Sequence, residues 1–101
     1  MEISQERLEK FWKRWGFWLM DDDLWLADWY ADKDLPTLTL DNLMKYAVPA
    51  AKVKQISLFI EDNECACLVG RDFIPTFEKP TRADTPALAL FLALEKLKGD
   101  N

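Results

Sequence analysis

The chain has 101 residues, half of them hydrophobic and 13% aromatic, with only three glycines and five prolines. That composition suits a single domain with a real core and excludes collagen-like, linker-type and disordered chains. The net charge of −5 is concentrated in positions 21–34, where six aspartates face Lys33 alone, so the basic stripe of a nucleic-acid binder is missing.

Ser4 is placed to cap a helix starting at Gln5, on which Leu8, Phe11, Trp12 and Trp15 share one face. Glu6–Lys10 and Glu9–Lys13 are i,i+4 pairs in the favourable order, and Gly16 suits the left-handed position that ends a helix. Phe17 to Met20 and Leu24 to Tyr30 then predict a hairpin turning at Asp21-Asp22-Asp23. Both faces of its second strand are apolar, with Asp28 as an interruption. Ala31 to Thr39 reads as a loop.

Thr39 or Asp41 caps a second helix with an apolar stripe of Leu40, Leu43, Met44, Ala47 and Val48, which Pro49 ends or kinks. Gln55 to Ile60 alternates, with Ile56, Leu58 and Ile60 on one face. It predicts a strand paired through the turn at residues 61–64 to a second strand, Cys65 to Val69. Phe73 to Phe77 reads as a short edge strand that tolerates Pro75. Asp84 or Thr85 caps the last helix, with Pro86 near its first position, and Ala87 to Leu94 is apolar almost all round, the mark of a buried helix ended by Gly99. The predicted fold is one α+β domain over residues 1–101: a mainly antiparallel sheet of four or five strands sandwiched between three helices. Leu8, Phe11, Trp15, Ile56, Leu58, Cys67, Leu90, Phe91 and Leu94 are its expected core.

Chemistry-bearing motifs are sparse. The chain has no histidine, which removes Ser-His and Cys-His nucleophilic sites and the commonest general base. Neither Ser4 nor Ser57 sits in a nucleophile elbow, and the isolated glycines form no phosphate loop. Cys65 and Cys67 supply two of the four ligands of a closed zinc site; buried thiols packing as small hydrophobes account for them better. The aspartate clusters lack the spacing of a calcium loop. No catalytic residue, metal or cofactor is therefore expected, and a carboxylate- or metal-dependent enzyme is the third-ranked reading. The polar start of the chain does not read as a signal peptide, and no apolar run approaches the ~20 residues of a membrane helix. The expected location is the cytoplasm.

All five tryptophans lie within residues 12–29. Trp12 and Trp15 belong to the core face of the first helix. Trp18, Trp25 and Trp29, with Asp21, Asp22, Asp23 and Asp28, form the expected partner-binding surface: aromatic anchors beside acid. Its complement is a basic surface on a protein, with no nucleic acid or membrane as partner. A homodimer or assembly component is the alternative.

Three stretches carry a family resemblance: Trp15-Gly16-Phe17-Trp18 closing the first helix, Leu38-Thr39-Leu40-Asp41-Asn42-Leu43 entering the second, and Asp84-Thr85-Pro86-Ala87-Leu88-Ala89-Leu90-Phe91-Leu92-Ala93-Leu94 forming the third. In these the chain resembles the phage α-β-α sandwich domain, a family of small phage and prophage proteins. It departs from that pattern in its aspartate-rich hairpin and its density of tryptophan. The resemblance implies a fold, a phage origin and action in the host cytoplasm; it brings no catalytic residues. The functional expectation is a non-enzymatic interaction protein, one version of which inhibits a host defence or nucleic-acid enzyme.

Overall fold

In the computed structural model, which describes residues 3–21, 23–28, 30–70 and 80–97, the chain divides into two units, Met1–Thr37 and Leu38–Asn101. The first opens with helix α1 (Gln5–Arg14), where the Ser4 hydroxyl accepts the Arg7 N–H at 3.2 Å. Glu6 lies in the first turn and Lys13 and Arg14 in the last, each complementing the helix dipole. Gly16, at φ +101°, ends the helix. Its N–H donates to the Lys13 carbonyl at 3.2 Å and the Phe17 N–H to the Trp12 carbonyl at 3.0 Å. These are the two bonds of a Schellman motif, and the apolar contact that accompanies it is made by the Trp12 and Phe17 rings, 5.0 Å apart.

Strands β1 (Trp18–Leu19), β2 (Trp25–Ala27) and β3 (Tyr30–Asp32) follow as an antiparallel sheet in that order. The aspartate turn falls where the sequence places it. The Asp23 N–H donates to the Met20 carbonyl at 3.0 Å and the Met20 N–H to the Leu24 carbonyl at 2.9 Å, with Asp23 at φ +61°. A left-handed residue closing a three-residue loop is a standard way to reverse a hairpin, and aspartate tolerates it better than most residues. The expected strand from Leu24 to Tyr30 is instead two strands: Ala27 pairs with Tyr30, so the chain reverses beyond Asp28 and the first part of the expected loop becomes β3. The Tyr30 hydroxyl donates to the Asp34 carbonyl, and the Asp34 N–H donates to Asp32 Oδ1 at 3.2 Å, which fixes the exit from β3. Phe11, Trp12, Trp15, Phe17 and Trp25 are buried in this unit, while Leu8 is half-buried.

In the second unit, Thr39 is the cap: its hydroxyl accepts the Asn42 N–H at 3.1 Å. Helix α2 (Leu40–Asn42) runs through a π-helical stretch, Leu43–Ala47, into α3 (Val48–Ala51). The helix therefore continues past Pro49. A proline ring crowds the carbonyl four residues back, and a wide π turn, closed by the Val48 N–H on the Leu43 carbonyl, sits directly before it. Leu43, Ala47 and Ala51 are fully buried. Lys52, at φ +58°, ends the helical run.

β4 (Gln55–Glu61) and β5 (Glu64–Gly70) form the expected hairpin, Glu61 pairing with Glu64 around Asp62 and Asn63. β6 (Thr81–Ala83) adds to the far side of β5, giving the order β4-β5-β6. Among the described residues the strands thus make two three-stranded sheets, and a single sheet of four or five strands is not seen. The expected strand at Phe73–Phe77 and the glycine stop at Gly99 lie outside the described residues.

Helix α4 (Pro86–Lys96) is capped by Thr85, whose hydroxyl accepts the Leu88 N–H at 3.1 Å, with Pro86 at its start. It lies against β5 and β6, and Leu88, Ala89, Leu90, Phe91, Ala93 and Leu94 are buried. Lys96 Nζ donates to the buried Thr81 hydroxyl at 3.2 Å, tying the end of α4 to β6. The expected core holds at Cys67, Leu90, Phe91 and Leu94 but not at Leu58, which is 40% exposed, and Ile56 is only half-buried. α4 covers β5 and β6, and among the described residues β4 lies at the sheet edge.

Candidate partner-binding surface

Of the expected surface, the loop that joins β1 to β2 holds Asp21 and Asp23, just beyond Trp18 of β1. Trp18 stands opposite Leu26 across the β1–β2 pair and Leu19 opposite Trp25. Side chains on a strand alternate between faces, so Trp18 and Trp25 point to opposite sides of this small sheet. The structure assigns them opposite environments: Trp18 is 48% exposed and Trp25 only 5%. Trp25 is a core residue, with the Lys13 ammonium 5.8 Å from its ring centroid, a cation–π contact. Asp21, Asp23 and Asp28 are exposed. Asp22 and Trp29 lie outside the described residues.

Two residues join the surface that the sequence reading left out. Leu19 and Met20 are 45% and 44% exposed, so Trp18, Leu19 and Met20 form an unbroken apolar run at the solvent boundary, directly before Asp21. The cause is in the pairing: β1 is two residues long at a sheet edge and has too few neighbours to cover both its faces.

Cys65 and Cys67 are free thiols, both buried. Burial pushes the Cys67 thiol from 9.0 up to about 11, so it holds almost no thiolate at neutral pH, and thiolate is the nucleophile and the metal ligand. Among the described residues no group of three or more His, Cys, Asp or Glu is arranged to hold a metal ion.

The raised thiol makes a testable pH dependence. The folded state holds the Cys67 proton more tightly than the unfolded chain, so this contribution is complete below pH 9.0 and is lost as pH rises towards about 11. Its size is on the order of 2 kcal/mol. Urea unfolding midpoints across that range should fall more steeply for the natural chain than for Cys67→Ala. Parallel slopes would show that the thiol titrates normally in the folded protein.

No known protein family, curated protein or solved structure matches this chain. Among the described residues no helix is long and apolar enough to cross a membrane.

Proposed function

We propose that this is a non-enzymatic interaction protein that docks its β1–β2 loop onto a basic surface of another protein. The observation that carries this reading is the run Trp18-Leu19-Met20, nearly half exposed at each residue, running into the exposed carboxylates of Asp21 and Asp23. Trp18 is the anchor of this run when covered, while Leu19, opposite Trp25, lies on the other face of β1. Carboxylates at the rim steer a basic partner and set its orientation, adding more to association rate and specificity than to affinity. A protein that binds nucleic acid presents such a basic surface, and inhibition of an enzyme of that kind is the specific version of this reading. The phage origin belongs to the same proposal and rests on the three helix-boundary motifs quoted above.

The experiment is capture of partners from a bacterial lysate at low and high salt, followed by affinity measurement with the purified partner. Trp18→Ala should weaken binding by about 30-fold, the loss typical of a hot-spot aromatic. Replacing Asp21, Asp23 and Asp28 together by Asn should slow association and flatten its salt dependence. Trp25→Phe should leave affinity unchanged, because Trp25 is interior. A partner held equally well by the Trp18→Ala protein would remove the loop from the reading.

A further inference from the structure

The two faces of the β1-β2-β3 sheet differ in their cover. Trp25 and Ala27 share a face with Tyr30, by alternation along β2 and by the Ala27–Tyr30 pairing. That face is the inner one: Trp25 is buried with the Lys13 ammonium over its ring, and the Tyr30 ring meets Phe17 at 5.2 Å. The other face carries Trp18 opposite Leu26 and Leu26 opposite Ala31, one residue from each strand. The bond from the Met20 N–H to the Leu24 carbonyl extends the pairing and adds these two residues to the same face. An antiparallel sheet packed on one side ordinarily turns polar side chains outward. Here all of these outward positions are apolar, with Trp18, Met20 and Ala31 exposed and Leu24 and Leu26 half-buried. Charge stands at the two ends of the face. Asp21 and Asp23 lie in the loop beside Met20 and Leu24, and Asp28 in the turn beyond Leu26, all exposed. Lys33, the one base among residues 21–34, follows β3, the edge strand away from Trp18.

We infer, building on the docking role proposed above, that this sheet face receives an arginine of the partner, its guanidinium stacked on the Trp18 indole and its N–H edge turned to the carboxylates at the margin. The chemistry of the face selects that side chain. A guanidinium is flat, weakly hydrated, and carries its five N–H donors around its edge. It lies on an aromatic ring and donates to carboxylates in its own plane at the same time. An ammonium is a compact, strongly hydrated point charge, which answers the carboxylates but covers the apolar middle poorly. An aliphatic side chain covers the middle and leaves the carboxylates without a partner. The inner face of the same sheet already sets a cation against an indole, Lys13 on Trp25; Trp18 turns that chemistry to solvent.

Peptide titration of the full chain tests this without the natural partner. The probes are a blocked glycine peptide carrying three arginines and its lysine counterpart of equal charge, followed by NMR at low salt. The arginine peptide should bind roughly threefold more tightly than the lysine peptide, and should shift the Trp18 indole N–H resonance, which is identified by its loss in Trp18→Ala. Trp18→Ala should keep the natural circular dichroism spectrum and bind both peptides alike, at the lysine level. Ala31→Lys, on an exposed residue outside the β1–β2 loop, places a competing cation on the face and should weaken the arginine peptide at least threefold. Equal affinity for the two peptides, an unmoved Trp18 resonance, or an arginine preference that survives Trp18→Ala overturns the inference and leaves the basic-surface reading standing. Binding of neither peptide overturns both.

Discussion

Trp12→Ala is expected to lower the free energy of unfolding by about 3–5 kcal/mol, a large part of the total for a domain of this size. Trp12 is fully buried, the largest side chain to be so among the described residues. It meets Phe11 edge-on with centroids 5.0 Å apart, packs against Phe17 at the same distance, and its carbonyl accepts the Phe17 N–H that closes α1. Truncation leaves a cavity in the aromatic cluster and strips the apolar contact from the helix stop. Trp12→Phe should behave differently. The indole Nε1–H is buried without a hydrogen-bond partner, and a buried unsatisfied donor costs about 1–3 kcal/mol. Phenylalanine removes that donor along with some volume, so the two effects offset and the variant should lie within about 1 kcal/mol of the natural chain. Urea unfolding followed by circular dichroism measures both. If Trp12→Phe cost as much as Trp12→Ala, the indole nitrogen would be making a bond that stabilises the fold.

The features legible in the sequence are those settled within a few residues. Ser4, Thr39 and Thr85 cap helices because each hydroxyl bonds an N–H three residues on. Gly16 ends α1 because a left-handed backbone suits glycine, and the turns at Asp23 and Asp62 place aspartate at positive φ. What escaped is decided by distant partners. Nothing local separates Trp18 from Trp25, since both sit in an apolar stretch; pairing across β1 and β2 puts them on opposite faces, one outward and one inward. The third strand of the first unit was hidden for the same reason, because Ala31 has a strand partner, Leu26, that a local reading cannot supply. Period-two alternation along β4 identified a strand with Ile56, Leu58 and Ile60 on one face. It carried no information about which strand of the sheet α4 would cover, and that alone determines whether those side chains are core or surface. The candidate site follows the same division: its acidic turn was readable, while the exposure of Leu19 and Met20 depends on how little of β1 is paired.

Phe91→Ala should also cost about 3–5 kcal/mol, and its readout tests whether the chain unfolds as the single domain its length and composition predict. Phe91 is fully buried at the centre of α4, flanked by Ala89, Leu90 and Leu94, which are equally inaccessible. It belongs to the second unit, whereas every tryptophan of the chain lies between residues 12 and 29, in the first. Intrinsic tryptophan fluorescence therefore reports the first unit, and circular dichroism reports the helices of both. For one cooperative domain, Phe91→Ala moves the fluorescence midpoint and the circular dichroism midpoint together, although no tryptophan lies near the substitution in sequence. That is the expected result. A fluorescence midpoint left in place while the dichroism transition splits in two would mean that the units unfold independently, and the single-domain reading would fall. The Trp12→Ala protein supplies the reciprocal control. Its loss should reach the modification rate of Cys65 and Cys67, two buried thiols of the second unit, only if the chain opens as a whole.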